Sequence, residues 1–251
     1  MPDGADDHLA VPFVRVGLAS RSLYFSIEDV QSRMQLRDPD ALDLRYTRTM
    51  MGFLMFRPVP ACLLMIGLGG GSIAKFCHRH LRGTRIDVVE INPQVIALRD
   101  TFRVPADSAR FRVIEADGAA FLRSATTRYD VVLLDAFGAH GLPRRLGTQR
   151  FYDDSLDALE PGGVLVSNFH SAAPGFPACL ARLNRSFDGA ALVVEDEDHV
   201  NSIVFAKKGG ALVAPPDARS ARPKGLDPAA WAQLSRSFER IATALAGRGD
   251  R

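Results

Sequence analysis

"LLMIGLGGGS", residues 63–72, runs four apolar residues into glycines at positions 67, 69, 70 and 71. Glycine loses more backbone entropy on folding than any other residue, so such a cluster needs a reason. Either the turn geometry requires it or something lies close to the backbone. The continuous apolar run reads as a strand covered on both faces. Residues 72–81, "SIAKFCHRHL", read as the helix that follows. Strand, glycines and helix N-terminus together suit a nucleotide-type ligand. Taken alone, the pattern equally describes a tight turn with close strand–helix packing.

Outward from this turn the alternation continues. Strands are expected at 62–67, 85–91, 110–116, 129–137 and 162–169, and helices at 93–102, 118–125, 148–160 and 176–187. Residues 189–195 and 201–208 read as a closing antiparallel hairpin. Strict alternation specifies an α/β fold, a doubly wound, mostly parallel seven-stranded Rossmann-like sheet. Ahead of it, residues 22–27 and 30–36 read as a β-hairpin around an acidic turn. Asp38-Pro39 then supplies a cap and an N1 proline for an amphipathic helix over 40–56. The expected organisation is a tail, hairpin and helix over 1–58, in which 1–10 read as a disordered tail. A cofactor-binding domain over 59–208 follows, then a loop and C-terminal helix over 209–251.

The 251 residues carry 31 basic and 29 acidic side chains. That balance argues against a nucleic-acid partner, which needs a basic surplus. Cys62, Cys77 and Cys179 are isolated and have no zinc-ligand spacing, so no metal is expected. No secretory signal and no apolar run of spanning length is visible. A soluble cytoplasmic protein with a small-molecule substrate is the expectation, with a homodimer as the assembly considered.

In doubly wound sheets ligands bind beyond the carboxyl ends of the strands. The first strand ends in the glycines, and the second ends at Glu90, placed to accept from both ribose hydroxyls. The third is followed by Asp117-Gly118, and the fourth ends at Asp135. Asp117 also reads as a plain helix cap. Acids at three consecutive strand ends favour an adenosine-bearing ligand. Ser72 stands where a dinucleotide site wants its third glycine. "LEPGGVLV", 159–166, then looks like the entry to strand five of the S-adenosylmethionine-dependent methyltransferase fold.

The run of motifs "YTRTM", "LLMIGLGGGS", "DVVEINPQVI", "ADGAAFL", "YDVVLLDAFGAHGLP" and "RFYDDSLDALEPGGVLV" resembles the spermidine synthase (polyamine aminopropyltransferase) family. The likeness spans about residues 23–207. It implies transfer of an aminopropyl group from decarboxylated S-adenosylmethionine to putrescine. It also implies that Gly67, Gly69, Gly70 and Gly71 wrap the cofactor, Glu90 holds the ribose, and Asp117 and Gly118 meet the adenine. Asp135 falls at the general-base position, and Tyr46 and Tyr152 at the substrate-channel tyrosines. The chemistry of Asp135 also stands by itself, because a protonated amine must lose a proton before it can attack.

Three acids of the family pattern are replaced, by Gly70, Gly138 and Arg48. A diammonium substrate needs paired carboxylates. The acceptor therefore stays open, as does the choice between decarboxylated and intact S-adenosylmethionine. Intact cofactor would make the chain a methyltransferase, and a non-catalytic nucleoside-binding homologue is the third reading. Residues 195–198, "EDED", follow the sixth strand, which is expected to run parallel to its neighbours. On that reading the four acids face the site and supply the missing amine-recognising charge, with Arg144 and Arg145 closing over them. The plainer reading is a solvated hairpin turn.

Overall fold

The computed structural model describes residues 10–27, 30–137, 141–213 and 222–248. Gly138, whose replacement of an acid is noted above, lies outside the described residues, as do residues 1–9 of the expected tail. The N-terminal section is a three-stranded antiparallel sheet of β1 (Phe13–Val16), β2 (Ser20–Tyr24) and β3 (Val30–Gln35). The expected hairpin is thus extended by one strand, and Phe13 stacks on Tyr24 across the pair with ring centroids 5.3 Å apart.

The helix expected over 40–56 is shorter and begins later. Asp38 opens a turn by accepting from the Ala41 N–H. Asp43 is occupied by Arg33 and Gln35 of β3, so neither acid caps a helix. Helix α1 spans Arg45–Met50 and tightens into a 3-10 turn over Met51–Met55.

The main sheet joins β4 (Cys62–Ile66), β5 (Arg85–Glu90), β6 (Phe111–Glu115), β7 (Tyr129–Leu134), β8 (Leu159–His170), β9 (Leu192–Glu195) and β10 (Asn201–Lys207) in the order β6-β5-β4-β7-β8-β10-β9. Five strands are parallel. β10 lies between β8 and β9 and is antiparallel to both. β9 is therefore an edge strand with one antiparallel neighbour, and it does not sit beside parallel partners. Helices α2 (Ser72–His80), α3 (Pro93–Ile96), α4 (Gly118–Ser124), α5 (Gln149–Ala158) and α6 (Phe176–Ser186) provide the connections.

Alternate residues of each strand enter opposite layers, as the pleat requires. Leu63, Met65, Val131, Leu133, Val164 and Val166 join one buried cluster, while Leu64, Ile66, Val132, Leu134 and Leu165 join the other. The first cluster also takes in Leu23 and Met34 of the N-terminal sheet and Leu234, Phe238 and Ile241 of α7 (Pro228–Ala246). Among the described residues no helix is long and apolar enough to cross a membrane.

Local signals set the helix starts as expected. Asn92 accepts from the Gln94 N–H ahead of Pro93, Thr148 accepts from the Phe151 N–H, and Asp117 accepts from the Ala120 N–H. The chain reverses its winding between β4 and β7, so a crevice opens over their carboxyl ends.

Candidate active site

A cavity of about 370 Å³ fills that crevice. Its floor is the turn after β4, which carries Gly67, Leu68 and Gly69. Gly67 has φ +95°, and a Cβ there would overlap the Asp135 carbonyl oxygen. Only glycine lets the ends of β4 and β7 approach this closely. Gly69 and Gly71 also adopt positive φ, 51° and 70°.

The glycines thus divide by role. Gly67 and Gly69 line the cavity, whereas Gly70 and Gly71 face inward. A Cβ on Gly70 would lie 2.6 Å from Ser32 Oγ and 3.0 Å from the Phe102 ring, and one on Gly71 would press on Val104. The β3 residue Ser32 therefore fills the space that an acid at position 70 would need, with its hydroxyl 3.3 Å from Ser72 Oγ.

Glu90 ends β5 and is almost wholly buried at the cavity wall. Its Oε2 accepts from the Leu68 N–H at 2.8 Å, and its Oε1 accepts from the Asn92 N–H at 2.9 Å. Each carboxylate oxygen can accept twice, so one lone pair on each remains for a ligand. Glu90 therefore also shapes the glycine turn. Asp117 and Gly118 line the same wall. Besides capping α4, Asp117 lies 3.4 Å from Arg145. Arg145 is thereby held beside Asp117 and does not close over the acidic run. Gly118 packs directly on Ile66, where a Cβ would overlap.

Asp135, just beyond β7, is enclosed. Tyr46 of α1 donates to its Oδ2 at 3.2 Å and Asn168 of β8 donates to its Oδ1 at 3.0 Å. Burial raises its pKa above the ordinary carboxylate value, and the two hydrogen bonds lower it by less. Burial and the neighbouring carboxylate push the Tyr46 phenol well above its ordinary value, so it stays a neutral donor. A half-buried carboxylate held by neutral groups can exchange a proton with a bound amine, which one held by arginine does poorly.

Tyr152 does not reach the cavity. α5 turns it into the second core cluster, fully buried, beside Phe151. The helix face bearing Tyr152 packs on the sheet, whereas the cavity lies beyond the strand ends. Arg48 is also turned away, donating through Nε to the Leu42 carbonyl.

The acidic run does not supply charge to the cavity. Glu195 pairs with His199, Asp196 is buried under its own turn, Glu197 pairs with Arg45 and Arg240, and Asp198 pairs with Arg45. The loop lies at the carboxyl-end side of the sheet, as expected, yet it is Val200 and Asn201 that line the cavity. Sequence reasoning missed Asn168, Asn201, Gln31, Ser32 and His170. Asn168 and His170 sit at the end of β8, where the rule of strand ends could have found them.

A family model described as Spermine/spermidine synthase domain matches residues 43–172. A polyamine aminopropyltransferase from Chromobacterium violaceum is 38% identical over 187 residues, which is 74% of this chain and 72% of the relative. A crystal structure of a probable spermidine synthase from Corynebacterium glutamicum superposes with a TM-score of 0.70 at 18% identity, covering 90% of this chain and 82% of the other. The crystal structure of human methyltransferase-like protein 13 in complex with SAH gives a TM-score of 0.59 at 25% identity, covering 80% and 93%.

Proposed function

The chain belongs to the spermine/spermidine synthase family, and from that premise we propose that the cavity holds an adenosyl donor over Gly67 and Gly69 and an amine acceptor beside Asp135. The protein is a transferase of polyamine biosynthesis that moves an aminopropyl group to an amine. The observation that carries the assignment of roles is the Asp135 carboxylate, enclosed at the cavity wall between two neutral donors.

The residues present fit the donor. Glu90 has a free lone pair on each oxygen for ribose hydroxyls, Gly67 and Gly69 offer backbone without side chains, and Asp117 and Gly118 flank the place for a base. When bound, decarboxylated S-adenosylmethionine supplies an electrophilic carbon beside a sulfonium, whose charge favours an ionised Asp135. Asp135 takes the proton that an ammonium must lose before its nitrogen can attack. Tyr46 and Asn168 hold the carboxylate in place. Turnover should therefore rise with pH through the Asp135 pKa, which lies above the ordinary value. We place the activity in the cytoplasm, a reading supported by three cysteines that are all unbridged.

One observation favours intact S-adenosylmethionine as a second reading. Among the described residues, the cavity wall beside Gly69 carries the neutral hydroxyls of Ser32 and Ser72 with Gln31, and none of these would repel a methionine carboxylate. Calorimetric titration with the two donors, together with assay of methylthioadenosine release in the presence of diamines, decides between them. The proposal expects tighter binding of the decarboxylated donor and amine-dependent release. Preference for the intact donor with methyl transfer would overturn it.

A further inference from the structure

We propose that Asn201, the first residue of β10, is a positioning residue that aims the Asp135 carboxylate by fixing the side-chain amide of Asn168. The inference rests on the reading of Asp135 as the proton acceptor. Asn168 is buried, donates through Nδ2 to Asp135 Oδ1 at 3.0 Å, and accepts on Oδ1 from Asn201 Nδ2 at 2.9 Å. The two ends of an amide have almost the same shape, so only its partners decide which one faces the carboxylate. Turned over, Asn168 would set its oxygen against an anion. The Asn201 donor makes the productive orientation the one in which both contacts are satisfied.

The same pair serves both protonation states. When Asp135 carries a proton it becomes a donor, and the two amides can turn over together. Asn168 Oδ1 then accepts from Asp135 while its Nδ2 donates to Asn201 Oδ1. The Tyr46 hydroxyl can likewise donate or accept. The Asp135–Asn168 and Asn168–Asn201 contacts are thus kept in either state, which matters because an unpaired buried polar atom costs about 1–3 kcal/mol.

The acidic run finds its use here. Asp196 Oδ1 accepts from the N–H groups of Val200 and Asn201, and its own N–H donates to the Asn201 carbonyl at 2.8 Å. Glu197 and Asp198 grip Arg45, the residue before Tyr46. The turn that carries Asn201 is thus tied to the helix that carries Tyr46. Among the described residues, the other titratable groups on this cavity are His170 of β8, Glu90 at the end of β5 and Asp117 before α4. Asp117 is held by the α4 backbone and Arg145, and Glu90 by the Leu68 and Asn92 N–H groups.

The test is carbon NMR of the protein labelled at aspartate carboxyls, with Asp135→Asn identifying the resonance. In Asn201→Leu, Asp135 should titrate about one pH unit higher, the tenfold carried by a hydrogen bond to a charged group. The acid limb of kcat should move with it, while methylthioadenosine binds as in the parent. Asn201→Ala gives the same readout should the leucine variant fail to fold. An Asp135 titration unchanged in the variants overturns the inference. A titration that moves while the parent transfers no aminopropyl group to any amine upholds the inference and overturns the proposed role of Asp135.

Discussion

At the amino end of β7, Asp130 accepts from Arg57 Nε at 2.9 Å and from the backbone N–H groups of Ala61 and Cys62 at 2.7 and 2.9 Å. Beyond the carboxyl end of the same strand, Asp135 meets, among the described residues, only a phenol and an amide. Burial works against ionisation at both. Asp130 has a guanidinium and two fixed N–H groups to outweigh it, and its pKa falls below the ordinary value, whereas that of Asp135 rises. On the proposed function, one residue type becomes a staple at one end of a strand and a proton acceptor beyond the other. The partners decide which, and they come from other elements.

The sharpest way to break this contrast is the same substitution at both ends. Asp130→Asn should cost about 3 kcal/mol of stability, because it leaves Arg57 and two N–H groups with a poorer acceptor. Denaturant unfolding measures this, and ligand binding should be unaffected. The pH dependence follows from the direction of the shift. A lowered pKa contributes stability that is present above the unfolded value and lost as pH falls through the folded value. The variant should therefore lose less stability than the parent on acidification below about pH 4.

Asp135→Asn should leave stability equal or slightly higher, since it removes a half-buried charge whose raised pKa shows that its surroundings disfavour ionisation. Turnover should fall by about a hundredfold or more. Normal turnover, measured as methylthioadenosine release, would make Asp135 structural and dissolve the comparison.

Glu90→Ala tests the neighbouring strand end, where a carboxylate is held by backbone N–H groups as Asp130 is, yet faces the cavity as Asp135 does. Adenosine-ligand binding should weaken by about 2 kcal/mol in calorimetry. Unchanged binding in a folded variant would assign Glu90 to turn geometry alone.

The smallest effect belongs to the acidic run. Glu197→Gln should lower stability by about 1 kcal/mol or less, as for a partly exposed ion pair. The Michaelis constant for an amine acceptor should hold, because the Glu197 carboxylate is paired with Arg45 and Arg240 outside the cavity. A selective tenfold rise in that constant would return the run to amine recognition.

Much of the site was legible because its signals are local. Glu90, Asp117 and Asp135 stand at the ends of apolar runs, and the rule that ligands bind at strand ends needs only the order of those runs. Tyr46 entered through a family resemblance and reaches Asp135. Tyr152 entered the same way and is buried in the core. A resemblance carries a residue's position along the chain, and the face that α5 presents to the sheet is set by packing.

By itself the sequence determined the alternation of strand and helix, the glycine turn and the caps at Asn92 and Asp117. Each depends on residues within one or two turns of one another, where periodicity, backbone φ and short side-chain reach suffice. Tertiary structure alone decided that β10 inserts between β8 and β9, that Asn201 meets Asn168, and that Arg45 and Arg240 take up the acids of the 195–198 run. Those partners lie tens to more than a hundred residues apart in the chain. A charge or an amide has many candidates of equal chemistry, and only the packing of the two apolar layers brings one of them within hydrogen-bonding distance.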